Sequence, residues 1–372
     1  MRLFALKRKL IALLLVLSTL FLATACGEEE YPVIESTKEE KETVLTMTYG
    51  KEKYEIPYEL YRAFFLQLKG SVDGGDASVW SGEQKDGYVE KINGLIFSRI
   101  AEIYAVIHLC KEAGIDPYSK ENDEKVKEYI KASIEGGDIG GVRFEGFDGD
   151  QEAYRASLKE MYMNDSVADL FIRYTLALEE LNLYYGGNPD SNDPAKTTGK
   201  LTFTKDEVLA FYNGDGAVRV LRAFLPSEAF SEQRANEIRN NIASKQNETA
   251  VANYMIQYTL SGGQDVKDGE VIGLYSLDAR YYGELTEKAF SLSVGQTSDI
   301  ISLNSETEVG YTVIYKVEKS AEHFDACYDK IKEVYIQNEI GKLLNSAETA
   351  LIDGATFTSA GKALDHALIA MP

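Results

Sequence analysis

Thr204-Lys-Asp-Glu-Val-Leu-Ala-Phe-Tyr212 and, after Asn213-Gly-Asp-Gly-Ala217, Val218-Arg-Val-Leu-Arg-Ala-Phe-Leu225 are the stretches on which the reading of this 372-residue chain turns. Thr204 with Glu207 three residues on is a capping box, which predicts a helix through Tyr212. Val218–Leu225 reads as a strand, and so does Gly310–Val317, by their β-branched and aromatic content. Ala229–Ser244 and Thr249–Tyr258 read as helices between them, and Phe324–Leu351 as a long helix after them. A run of helices and short strands in this order is an α+β pattern.

Upstream the periodicity is almost wholly helical. Val44–Tyr49 and Tyr54–Pro57 alternate around a turn at Gly50 and predict a short hairpin, with Pro57 at the start of a helix that ends near Gly70. Ile92, Leu95, Ile96, Ile103, Val106, Ile107 and Cys110 recur at three and four, so a long amphipathic helix is expected, closed near Gly114 and stopped by Pro117. Asp123–Ile134 and Gln151–Tyr185 carry two further helical patterns. Gly186–Lys200, rich in Gly, Asn, Asp, Pro and Thr without apolar periodicity, is the candidate boundary between two domains. At roughly 150 residues per domain the length agrees with two.

Arg2, Lys7, Arg8 and Lys9 precede an apolar run from Leu10 to Ala25, shorter than the ~20 residues that span a bilayer as a helix, so the start of the chain reads as a secretory signal. Loss of residues 1–25 would take the net charge from −21 to −25 by removing those four cations. Glu28–Thr43, charged and poor in apolar residues, reads as a solvated tether. So acidic a chain is ill suited to nucleic acid, which is bound by concentrated Lys and Arg.

Few residues offer chemistry. Gly136-Gly-Asp-Ile-Gly-Gly-Val142 lacks the Lys-Ser/Thr of a phosphate loop. Asp148-Gly-Asp-Gln-Glu152 has Ala153 and Lys159 where a calcium loop needs Gly and Glu, and reads as a helix start. His108 falls on the long apolar helix, His323 and His366 among polar neighbours, and no pair has metal-ligand spacing, so no metal or other cofactor is expected. Cys110 and Cys327 are expected to be free thiols, the pairing of the two being the alternative.

Two resemblances then give the pattern a family. Leu22-Ala-Thr-Ala-Cys26-Gly27 resembles the lipobox of bacterial lipoproteins, which implies a lipidated Cys26. The helix at Thr204–Tyr212, the strand at Val218–Leu225, Gly269-Glu-Val-Ile-Gly273, Leu285-Thr-Glu-Lys-Ala-Phe290 with Val294-Gly295-Gln-Thr-Ser298, and Gly310-Tyr-Thr-Val-Ile-Tyr-Lys-Val317 resemble, in order, the parvulin-type peptidyl-prolyl isomerases. With helical flanks the whole is similar to the extracytoplasmic foldases PrsA and SurA. The resemblance implies a signal peptide at 1–25, a tether at 26–43, a helical SurA-N-like chaperone body at 44–185, a linker at 186–203, a parvulin-like antiparallel-sheet and helix domain at 204–319, and a C-terminal helix at 320–372 packing back on the body.

It also implies site residues. The histidine that usually begins the first strand corresponds to Arg222, the second histidine to Thr312, and the usual Cys or Asp to Ser261, while the apolar proline pocket corresponds to Phe224, Ile272, Tyr281 and Leu285. The catalytic positions are thus degenerate. Twisting a desolvated prolyl amide against an apolar wall needs no nucleophile, so weak activity is compatible with their loss. The expected function is a membrane-anchored foldase or chaperone on the extracytoplasmic side of a bacterial cell membrane, with unfolded or newly translocated polypeptides as partners. The alternative is a surface lipoprotein that binds peptide or glycan through a patch of its 24 tyrosines.

Overall fold

The computed structural model describes residues 34–139, 142–187, 199–258, 263–277, 282–304 and 309–370. The chain forms two compact units, one of residues 1–181 with 344–372 and one of residues 182–343. Mixed helices and small antiparallel sheets make it an α+β protein.

In the first unit β1 (Thr43–Tyr49) and β2 (Glu52–Pro57) are the expected hairpin. Gly50 stands at its turn with φ 58°, a left-handed conformation in which glycine carries no Cβ penalty. Pro57 is the N-cap of α1 (Tyr58–Asp73), which runs past Gly70 and closes on Gly74. The acidic segment before β1 is docked in this unit: Ile34 N–H donates to Asp165 at 2.8 Å, Glu42 and Glu40 carbonyls accept from the amides of Tyr58 and Glu59, and the Glu40 carboxylate meets Arg62 at 2.9 Å. The two carbonyls satisfy α1 amides that no intrahelical partner can reach.

α2 (Lys85–Ala113) is long and apolar enough to cross a membrane, yet its stripe of Ile92, Ile96, Ile100, Ile103 and Val106 is buried inside the unit. α3 (Lys120–Glu135) follows, then the ribbon of β3 (Gly137–Ile139) and β4 (Val142–Phe144), so part of the glycine-rich stretch forms a hairpin. The pattern expected as one helix over Gln151–Tyr185 is two, α4 (Gln151–Glu160) and α5 (Asp165–Gly186). Between them Tyr162 takes φ 60°, which breaks the ladder, and the Asn164 side chain accepts from Val167 N–H at 3.0 Å, which starts a new helix. Apolar periodicity ran through the break because both helices bury the same kind of face.

The second unit begins with α6 (Lys205–Asn213), whose capping box is complete. β5 (Ala217–Pro226) leads to α7 (Glu232–Ala243), α8 (Glu248–Met255), α9 (Gly263–Asp268), β6 (Glu270–Gly273), α10 (Gly283–Ser291), β7 (Ile301–Asn304) and β8 (Val309–Val317). The four strands make one antiparallel sheet in the order β6-β5-β8-β7. Leu221, Ala223 and Leu225 of β5 bury one face under α7, α8 and α9, while Val218 and Val220 bury the other under α10, the period-two alternation of a strand covered on both sides.

The long C-terminal pattern is also two helices, α11 (Ala321–Ala326) and α12 (Tyr328–Asp353), divided at Cys327. Phe324, Cys327 and Ile331 pack with Val208 and Tyr212 of α6 in the second unit. Beyond residue 343 the chain belongs to the first unit, where β9 (Thr356–Phe357) pairs with β1 and completes the order β2-β1-β9. In the second unit α12 runs against the backbone after β6. Asn338, fully buried, accepts from Tyr275 N–H at 2.9 Å, and a Cβ at Gly341 would stand 1.6 Å from the Tyr275 carbonyl oxygen. Gly341→Ala is therefore expected to lower the unfolding free energy by about 1–3 kcal/mol through overpacking, despite alanine's better helix propensity. Denaturant unfolding checks it, and an unchanged or raised midpoint would contradict the close approach.

Candidate functional site

Period-two alternation on β5 sends Val218, Val220, Arg222 and Phe224 to the sheet face that α10 covers, and the β5–β8 register sets Arg222 against Ile314 and Phe224 against Thr312. On that face Ile272 of β6, Leu285 and Ala289 of α10, Tyr282, Ile301 and Leu303 of β7, and Ile314 form one apolar cluster, with Phe224 packed against it. Of the residues expected at the site, Arg222, Thr312, Phe224, Ile272 and Leu285 come together. Ser261, Tyr281 and the lipidation candidate Cys26 lie outside the described residues.

A polar chain crosses this apolar face. Arg222 Nε donates to Thr312 Oγ1 at 3.1 Å, and Thr312, fully buried, donates in turn to the Ala223 carbonyl at 3.1 Å. The guanidinium lies 5.8 Å from the centroid of the Tyr282 ring and 3.7 Å from a Glu270 carboxylate oxygen. Glu270 is paired with Val220, one step along the face from Arg222, so the register supplies the counter-charge. Arg222 is thus held by a hydroxyl, an aromatic face and a carboxylate, the three partners that a guanidinium accepts. Such a group cannot accept a proton or attack a carbonyl. Tyr282 and Glu270 were not expected from the sequence: Tyr282 sits beside its equally aromatic neighbour Tyr281, and Glu270 enters only through strand register.

The apolar residues differ in access. Ile272 and Leu285 are 7 % and 3 % exposed and form the wall behind the face, whereas Phe224 and Arg222 are half-buried and present surface.

The three histidines are elsewhere, and all three are buried, His323 and His366 included, contrary to their polar sequence surroundings. His108 Nδ1 is 2.7 Å from Tyr54 Oη, and His366 Nε2 is 3.0 Å from Tyr61 Oη beside Trp80. His323 stacks on Tyr212, with Nδ1 2.9 Å from the phenol oxygen. These are core contacts. Among the described residues no group of three or more His, Cys, Asp or Glu is placed to hold a metal ion. Cys110 and Cys327 are buried free thiols, and burial pushes Cys110 up to about 12, far from thiolate chemistry. The described tyrosines vary in exposure. Tyr61, Tyr154, Tyr174, Tyr212, Tyr282 and Tyr315 are buried, and Tyr118 and Tyr275 are exposed in different units.

No protein-family model and no curated protein matches the chain. Solved structures similar to it include foldase protein PrsA from Streptococcus pneumoniae, 17 % identical over 73 % of this chain and 88 % of that one, TM-score 0.30. PrsA from Bacillus subtilis is 14 % identical over 73 % and 87 %, TM-score 0.25, and foldase protein PrsA from Lactococcus lactis 13 % over 88 % and 99 %, TM-score 0.24. At TM-scores this low the likeness decides neither family nor activity.

Two outcomes follow from the geometry. Thr312→Val removes the hydroxyl that links Arg222 Nε to the Ala223 carbonyl and should cost about 1–3 kcal/mol in denaturant unfolding, with Thr312→Ser close to the parent. Burial lowers His323 from 6.5 to about 4, so the unfolded chain binds the extra proton in that window. The stabilisation is complete above pH 6.5 and lost as the pH falls toward 4. Against the parent, His323→Gln should therefore show a shallower loss of stability over this range, and parallel pH profiles would contradict it.

Proposed function

We propose that the chain is a lipid-anchored extracytoplasmic folding factor that holds unfolded or newly translocated polypeptide, and that its second unit is a parvulin-like domain with weak or no isomerase activity. In this reading residues 1–25 are a signal peptide and 26–43 a tether from lipidated Cys26. Residues 44–185 form a SurA-N-like chaperone body, 204–319 the isomerase-like domain after a linker at 186–203, and 320–372 a C-terminal helix returning to the body.

One observation carries the functional part. The Arg222–Thr312 pair, braced by Tyr282 and Glu270, occupies the positions that the parvulin resemblance assigns to histidines, on a sheet face that keeps an apolar wall. Prolyl isomerisation must overcome amide resonance, a barrier of ~20 kcal/mol, and an apolar wall lowers it by desolvating the twisted amide. A cation tied to that face opposes desolvation. What remains useful is apolar surface for polypeptide, with Phe224 as its partly exposed member, while Ser261 and Tyr281 would complete the site.

The soluble chain is expected to suppress aggregation of an unfolded client at near-stoichiometric amounts and to isomerise a proline tetrapeptide within a few-fold of the uncatalysed rate. A rate typical of an efficient isomerase, or no effect on aggregation, would overturn this reading. For the anchor, Cys26→Ser should move the chain from the membrane fraction to the soluble one, and retention at the membrane would sink the lipidation assignment.

A further inference from the structure

The first unit carries an open groove of about 540 Å³ that none of the residues discussed above as a site lines. One side of α2 lines it through Val89, Gly94 and Phe97, and Phe357 of β9 closes it. The Phe97 and Phe357 rings are tilted against each other at 5.4 Å, and Phe357 meets Tyr61 edge-on at 6.0 Å. Asn93 on the same lining is pinned by Tyr61, whose hydroxyl donates to its Oδ1 at 2.6 Å. The floor is therefore aromatic, apolar and fixed from behind. The volume is that of a small ligand pocket, room for one or two large side chains.

Two features of this groove are not accounted for by packing within the chain. Gly94 lies in the interior of a long helix, where glycine costs about 1 kcal/mol relative to alanine, and a Cβ there would meet nothing within 4 Å. Packing does not exclude a side chain there, and the glycine leaves the helix backbone open toward the groove. At the rim Asp86 and Glu90 stand four residues apart on α2, like charges that disfavour an isolated helix, and both are exposed. Among the described residues neither is ion-paired, while the neighbouring Lys85 is 3.9 Å from Asp365. An apolar slot that exposes helix backbone at Gly94 and carries two exposed carboxylates at its mouth complements an apolar side chain followed by a cation.

We infer that this groove on α2 is a polypeptide-binding site that takes an apolar, preferably aromatic, side chain flanked by Lys or Arg. The inference rests on the polypeptide-holding function proposed above and names the segment chemistry that this surface selects. Apolar burial of the anchor supplies attraction, and the rim carboxylates supply selectivity that weakens with salt, because exposed charges are screened.

The test uses the full chain and a fluorescein-labelled dodecapeptide with a central Phe-Leu pair flanked by lysines, beside a twin flanked by glutamates. The parent should bind the lysine peptide at least tenfold more tightly than the glutamate twin, and less tightly as salt is raised. A Cβ at Gly94 meets no neighbour, and Gly94→Phe puts a ring into the slot. It should lower affinity at least tenfold while thermal stability holds or rises. Asp86→Lys with Glu90→Lys, both on the surface, should invert the preference between the two peptides. Equal binding of the lysine peptide by the parent and Gly94→Phe, or an unchanged preference in the double variant, overturns the inference. If aggregation suppression nevertheless persists in those variants, the polypeptide-holding function stands and this groove is not its site. Loss of both activities in the parent itself removes the function and the site together.

Discussion

The second unit depends on the pairing of Ala217–Pro226 with Val309–Val317, two segments far apart in sequence. A strand flanked by partners on both edges and covered on both faces must alternate two apolar sets. Leu221, Ala223 and Leu225 serve the three-helix side, and Val218, Val220 and Phe224 the side under α10. Arg222 departs from that alternation on one face, as buried Arg219 does on the other. It falls on a buried face because the strand period puts it there, and it is tolerated because the register delivers Thr312 and Glu270 to it. A one-residue slip would send Arg222 to the opposite face, away from Thr312 and Glu270.

The first unit obeys a different constraint. Its N-terminal hairpin is too small to be stable alone, and the chain's last segment supplies the third strand. Thr46 Oγ1 donates to the Thr356 carbonyl and Thr358 Oγ1 to the Thr43 carbonyl, so the sheet is stitched by residues from opposite ends of the chain. The same return places Phe357 over Phe97 and thereby creates the groove on α2. A structural need, the missing strand, and a binding surface share one residue.

Much of the architecture was legible locally. The capping box at Thr204, the turn at Gly50, and the three- and four-residue spacing from Ile92 to Cys110 are short-range signals, and the elements formed where these signals stand. Two long helical patterns were misjudged as single helices, over Gln151–Tyr185 and Phe324–Leu351, because apolar periodicity persists across a break made by one left-handed residue or one cap. The polar neighbours of His323 and His366 leave core and surface placement equally open, and aromatic partners distant in sequence bury both.

The sequence by itself determined the α+β class, many of the elements, the acidic charge and the scarcity of histidine, since these follow from composition, period and capping within a few residues. Only the tertiary structure decided that Arg222 is paired with Glu270 and lies over the Tyr282 ring, that Ile272 and Leu285 form a wall where Phe224 forms a surface, and that Phe97 meets Phe357. The physical reason is register. Side-chain pairs across strands, and between a helix and a strand from the other end of the chain, are set by backbone hydrogen bonds between distant segments, and no local pattern specifies which residues those bonds align.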